Sequence, residues 1–301
     1  MPEPSRTRRI DLILPASEST LPGNFVVRRA LPRRALRRVG GFVFLDHFDE
    51  RDVTPEKFDV PPHPHVGLQT VTYLFDGEIL HTDSLDYVQP ILPGDVNWMT
   101  SGRGITHAEQ VTEKLPRLHG VQAWVGLPHK DRKTEPDFQH FDGAGLPVIE
   151  GPGVRITVIA GLCAGETSPI PTFQDLVYLN IEAEGGGSHE FEVNPEHELA
   201  VYVCDGAISV GGTELNRFDL GLLTKGEVFS FSATQSGRFM LLGGEPLPEP
   251  TIIYWNFVTD TIGEAKQRLI DWEEGKFPLV TRYEKIAAIG DEGIEERILT
   301  M

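Results

Sequence analysis

Two short motifs in this 301-residue chain have the residue types and spacing to share one metal ion: His63-Pro64-His65 and His107-Ala108-Glu109. On an extended strand the side chains at i and i+2 leave the same face, about 7 Å apart along the backbone, so each motif sends two donors in one direction. A single His-X-His pair is a weak sign. Two such pairs on facing strands of a small barrel would bring three imidazoles and one carboxylate to a common point. A metal preferring six ligands would then keep two positions open, which suits catalysis better than a closed structural site. Nitrogen and oxygen donors without thiolate suit iron(II), manganese, nickel, zinc or copper, and spacing does not choose among them. Glu109 is the one donor of the four that could also take a proton, so it reads as ligand first and general base second.

The elements that must position these donors are strands. Residues 42–130 carry short alternating apolar runs broken by turn formers, the clearest being VTYLFDGEILH at 71–81. Asp76-Gly77 between apolar runs predicts a two-residue hairpin, because such a turn needs positive φ at its centre. In that register Thr72 faces His81, and both point away from the ligands. Parity carried from His63 and His65 puts Gln69, Val71 and Tyr73 on the ligand face, provided no bulge intervenes. His81 is therefore expected in solvent. Gln69 is expected inward, hydrogen-bonding a ligand or a bound water.

The pattern recurs in the second half. AVYVCDGAISV at 200–210 is similar to VTYLFDGEILH, with Asp76 and Asp205 standing 129 residues apart. KGEVFSF at 225–231 echoes PGDVNWM at 93–99, with Gly94 and Gly226 standing 132 residues apart. Two β-domains of one kind follow. Projected by these spacings, the four ligands fall on Glu192, Asn194, Phe239 and Leu241, so the second half is expected to have lost the site and to hold an apolar interior. One metal per chain is the consequence. His197 and Glu198 are adjacent there, but neighbours on a strand face opposite ways and make a poor chelating pair. Residues 131–150 are polar and weakly patterned, which predicts a linker. A helix is expected over about 261–274, capped by Asp260 or Thr261 with Glu264 three residues on, ended by Gly275, and packed through Ile262, Ala265, Leu269 and Trp272.

Composition limits the partners. A net charge of −18, from 27 Lys and Arg against 45 Asp and Glu, would repel nucleic-acid phosphates and anionic membranes. Cys163 and Cys204 form no CxxC pair and are too few for a disulfide framework. The apolar stretch after the basic N-terminal residues is too short for a signal sequence, and no later run reaches membrane-spanning length. A soluble, cytoplasmic protein is expected.

The segments PPHPHVGLQTVTYLFDGEILHTDS, PGDVNWMTSGRGITHAE and GVQAWVGLP, between residues 61 and 128, resemble the pirin family of the cupin superfamily. The resemblance extends from GGFVFLDHFD near residue 40 to the WNFV segment at 255–258. It implies an all-β fold of two tandem cupin barrels with a short C-terminal helix, here divided as residues 1–135 and 150–301. It also implies one iron-type centre in the N-terminal barrel, with the ligand roles on His63, His65, His107 and Glu109. Many pirins carry Glu where this chain has Gln69 and Arg where it has Val66. Some members resemble quercetin 2,3-dioxygenases, which implies a small aromatic substrate such as a flavonol, opened with O2. Other members act as transcription cofactors, which implies the alternative of a metal- or redox-dependent binding protein that regulates a protein partner.

Overall fold

The computed structural model describes residues 6–247 and 251–283. The chain opens with β1 (Ile10–Pro15), β2 (Ser17–Leu21) and β3 (Phe25–Leu31), followed by β4 (Phe42–Val53), β5 (Asp59–His65) and β6 (Leu68–Asp76). The first half continues through β7 (Ile79–Asp83), β8 (Val88–Ile91), β9 (Val96–Thr100), β10 (Ile105–Gln110), β11 (Leu115–Gly126) and β12 (Asp137–Phe141). The second half holds β13 (Val148–Gly151), β14 (Val154–Cys163), β15 (Glu166–Thr167), β16 (Leu176–Ala183) and β17 (Ser188–Glu192). It goes on with β18 (Glu198–Val210), β19 (Thr213–Asn216), β20 (Asp219–Leu223) and β21 (Val228–Gly244). A hairpin of β22 (Ile252–Tyr254) and β23 (Phe257–Thr259) leads into α1 (Ile262–Glu273).

In the first barrel a seven-stranded sheet, ordered β12-β9-β6-β11-β4-β3-β2, faces a four-stranded sheet, ordered β5-β10-β7-β8. In the second, the long strands β18 and β21 run through one ten-stranded sheet that curls on itself. The expected all-β architecture of two barrels with one C-terminal helix is what the chain forms.

The Asp-Gly dipeptides have a different role from the expected hairpins. β6 and β7 lie in different sheets, so Asp76-Gly77 turns a corner between them. Gly77 has φ +89°, and a Cβ there would stand 2.7 Å from the carbonyl oxygen of Arg117. Its counterpart Gly206, φ +74°, lies inside β18, where the register against β21 shifts on both sides and the strand bends. The repeated sequence marks barrel corners where a neighbouring backbone leaves no room for a side chain. The expected linker at 131–150 also contains structure: β12 pairs with β9, and Phe138 is buried.

The two ends of the chain cross over. β1 pairs with β20 of the second barrel, although its residues fall in the expected first domain. At the other end Val66 bridges Phe257, and Leu269 and Trp272 of α1 pack with Val66, Phe257 and Phe277 on the first barrel. A division at 1–135 and 150–301 therefore follows chain order but not strand pairing, and its final residues 284–301 lie outside the described ones. The helix itself starts as expected, with Thr261 Oγ1 accepting from the Glu264 N–H at 3.1 Å and Gly275 at φ +69° just past its end. Ala265 is buried, but Ile262 is 47% exposed and leaves the expected packing stripe. Among the described residues no helix is long and apolar enough to cross a membrane.

Between the barrels, the outer faces of the two large sheets form one apolar core. Val71, Tyr73, Trp98, Val121 and Ala123 of the first barrel meet Tyr178, Ala200, Tyr202 and Met240 of the second. At its edge His47 joins the barrels, with Nδ1 3.1 Å from Tyr202 Oη and Nε2 2.9 Å from His119 Nε2. Burial pushes His47 well below the usual imidazole range and His119 down to about 4, so this pair stays uncharged near neutrality.

The crossing N-terminus is tied down by Arg8, a fully buried guanidinium that donates to the carbonyls of Asn194, His197, Thr224 and Gly226 at 2.8–3.2 Å. Arg8→Met leaves these carbonyls without donors and is expected to lower unfolding stability by about 3 kcal/mol. Arg6→Met, at an exposed ion pair with Glu227, should change stability by less than about 1 kcal/mol. Urea denaturation of both variants checks this, and equal midpoints would show that the crossing strand is not held by Arg8.

Candidate metal centre

β5 and β10 are antiparallel neighbours, with His63 directly opposite His107. His63 and His65 leave β5 on one face, and the donor nitrogens of His63, His65 and His107 all lie within 4.8 Å of one another. Their ring centroids are 4.4–5.0 Å apart. His63 Nδ1 donates to the Pro61 carbonyl at 2.9 Å, which leaves its Nε2 as the free lone pair. His65 Nδ1 and His107 Nε2 are buried without a hydrogen-bond partner. Orphaned buried nitrogens are costly, and two of them beside the free His63 Nε2 are a donor set that a divalent cation would satisfy.

Electrostatics agree with that reading. Burial pushes His65 and His107 well below the usual imidazole range, and their neighbouring rings push the same way. His63 is lowered too, mainly by burial, although the Pro61 carbonyl and Glu109 work against it. Neutral imidazoles with available lone pairs are the state that metal binding requires.

Glu109 is buried on the same strand but lies outside the three-nitrogen cluster. Its carboxylate accepts from Thr72 Oγ1 at 3.1 Å and from Gln122 Nε2 at 2.6 Å. Sequence reasoning missed both of these partners. It also sent Thr72 and His81 to the wrong face. His81 is directly opposite Glu109 and buried, its Nδ1 3.4 Å from His107 Nδ1, its Nε2 2.9 Å from Asp83 Oδ2, and its ring stacked on Phe138. An Asp83–His81–His107 chain therefore orients the third imidazole from behind. His81-Thr82-Asp83 has the same i, i+2 spacing as the two motifs first singled out, and that signal was available in the sequence.

Gln69 is correspondingly displaced from its expected role. It pairs with Thr100 across β6 and β9, and its Nε2 donates to Thr100 Oγ1 at 2.9 Å. The cause is Gly67, whose positive φ of +71° breaks the chain between β5 and β6 and shifts parity by one. Thr72 thus takes the inward position, while Val71 and Tyr73 face the inter-barrel core.

The wall beside His65 is aromatic. Trp124 meets it edge-on at 5.0 Å and stacks on Phe44 at 4.0 Å, with the Arg29 guanidinium over the Phe44 ring at 4.8 Å. Arg29 is itself clamped by two hydrogen bonds to Asp46.

The second barrel is filled differently. The counterpart of β10 is the first part of β21, which pairs with β17 as β10 pairs with β5. Its buried residues are Phe229, Phe231 and Ala233, in one core with Phe191, Phe239 and Leu241. Phe239 and Leu241 are apolar and buried as expected, but they lie in the part of β21 beside β16, so the 132-residue spacing misplaced the register. Glu192 and Asn194 are exposed. His197 bonds Asp175 while Glu198 accepts from Gly40 N–H, so that adjacent pair does point apart. One other grouping among the described residues, Asp95, His140 and Asp142, is a turn anchor: the Asp95 carboxylate accepts from the N–H groups of Leu92 and Gly143, and His140 bonds Asn97.

Known proteins share this architecture. The family model described as Pirin matches residues 24–125, and the one described as Pirin C-terminal cupin domain matches residues 178–278. A pirin-like protein of Caulobacter vibrioides is 41% identical over 277 residues, covering 90% of this chain and 95% of the relative. The crystal structure of a quercetin 2,3-dioxygenase from Acinetobacter baumannii superposes with a TM-score of 0.85 at 33% identity, covering 94% of this chain and 96% of that one. The bacterial pirin YhhW of Escherichia coli, solved in complex with nickel(II), has a TM-score of 0.62 at 15% identity, covering 78% of this chain and 100% of its own, a likeness of fold.

The geometry reverses the roles expected of His81 and Gln69. His81→Ala should weaken metal affinity by about 10- to 100-fold, the usual cost of losing the partner that orients a ligand. Gln69→Leu should leave affinity near that of the parent. Competition titration against a chromophoric chelator decides, and the opposite ranking would sink the orientation assigned to β6 and β7.

Proposed function

The chain belongs to the pirin family, and from that premise we propose that it is a metal-dependent dioxygenase with one centre per chain, held by His63, His65, His107 and Glu109 in the first barrel. The carrying observation is the cluster of three neutral imidazoles, each keeping a nitrogen free of protein partners, inside one barrel while the other is filled with Phe, Leu and Val. The structural likeness to a quercetin 2,3-dioxygenase supports a flavonol-type substrate opened with O2. The nickel(II) complex of the Escherichia coli pirin supports a divalent transition metal. Our reading is iron(II), with manganese, nickel, zinc or copper able to occupy the same nitrogen and oxygen donors.

A divalent metal there would supply Lewis acidity, lowering the pKa of a substrate hydroxyl and holding both reactants close. The protein's own groups do the rest. Thr72 and Gln122 hold the Glu109 carboxylate through one oxygen each, which fixes its orientation. Glu109 completes the donor set and takes the hydroxyl proton of the substrate. Trp124 and Phe44 offer a flat apolar wall suited to a planar aromatic ring.

The test is a flavonol panel assayed under O2 with protein reconstituted anaerobically with each metal, following flavonol absorbance and O2 uptake together. Metal content should approach one per chain, and His65→Ala should lose most of it. Glu109→Ala is expected to lower turnover by about 100-fold or more. A stoichiometry near two, or no flavonol turnover with any of the metals, would overturn the proposal.

A further inference from the structure

We infer that the C-terminal hairpin, β22 and β23 with the Trp255-Asn256 turn between them, positions His65, so that the metal affinity of the first barrel depends on a segment from the far end of the chain. This rests on the metal reading above and adds to it a dependence on residues that follow the second barrel. Three separate contacts carry the inference.

At the hairpin tip, the Asn256 main chain lies beside the His65 ring. Trp255 beside it has φ +50°, a conformation that a tryptophan keeps only where its surroundings hold it. Its ring packs edge-on against Phe257 at 5.1 Å, within the cluster formed by Val66, Phe257 and Phe277. Along the hairpin, the Val258 N–H donates to the Val66 carbonyl at 2.9 Å, one residue after His65. The approach is close enough that a Cβ on Gly67 would stand 2.0 Å from the Val258 carbonyl oxygen. At the hairpin base, the buried Arg132 of the first barrel donates to Thr251 Oγ1 at 3.1 Å and to Asp260, gripping both of its legs, while its Nε bonds the Leu127 carbonyl.

An imidazole ligand needs a fixed ring plane, and a main-chain partner on its remote side is a common way to fix it. His63 has the Pro61 carbonyl from its own strand, and His107 has His81 from the neighbouring strand. For His65 the main chain on that side is residue 256, held in place by the Val258–Val66 bond one residue further along β5's end. Its neighbour Trp124 touches the ring only through its aromatic edge.

Two full-length variants separate positioning from packing. Val258→Pro removes the N–H that bonds Val66 while keeping an extended backbone, and Val258→Ala keeps that N–H while losing the side chain. Cobalt(II) is the probe, with its dissociation constant measured by chelator competition and its ligand-field bands by visible absorption. Val258→Pro should bind cobalt about 10-fold more weakly than Val258→Ala and shift the bands. Arg132→Met, which frees the hairpin base, should move both readouts the same way, and it carries the test where Val258→Pro does not fold. A hairpin that only covers the sheet would lower thermal stability in all three variants and leave affinity and bands as in the parent. That result overturns the inference alone. A parent protein that binds no cobalt overturns the metal reading and this inference with it.

Discussion

Three imidazoles withdrawn from water to within a few ångströms of one another must all be uncharged, because burial and mutual repulsion both penalise protonation. That requirement governs the first barrel. A neutral ring has one donor and one acceptor, so each buried histidine needs its N–H engaged behind it if its lone pair is to face the common point. For His63 the Pro61 carbonyl does this, and behind His107 stand His81 and Asp83. The proposed centre therefore draws on more than its ligand residues, through β5, β7 and β10.

The same barrel must also hide a sheet from water on both sides. β6 is buried along nearly its whole length, with Thr72 toward the histidines and Val71 and Tyr73 toward the second barrel. A strand covered on both faces loses the apolar-polar alternation that would reveal which face is which. The second barrel thus does more than duplicate the first. Its outer face supplies the apolar surface that covers the far side of the seven-stranded sheet, through Tyr178, Tyr202 and Met240.

Crossing of the chain ends makes the two barrels interdependent. β1 completes the second barrel's sheet and is fixed by Arg8, while the hairpin and α1 close over the first and are fixed by Arg132. Both anchors are buried arginines that gather several oxygens at once, which suits a planar guanidinium with five donors. Neither barrel has its full complement of strands and cover without a segment from beyond the other.

The sequence by itself determined the clustering of three histidines and the architecture. His63, His65 and His107 were legible because i, i+2 spacing on a strand is a local property, and the all-β double barrel was legible because turn residues and apolar runs recur. Thr261 and Glu264 marked the helix start for the same local reason. Tertiary structure decided which side of β6 meets the site, since the chain passes from one sheet to the other at Gly67, with φ +71°, between β5 and β6. It also turned the Asp-Gly hairpins into barrel corners, because a local dipeptide fixes a bend but not the sheet in which the next strand will pair. His81, Thr72 and Gln122 reach the site only through strand pairing and long-range packing, and no spacing along the chain records the bond between residues 66 and 258.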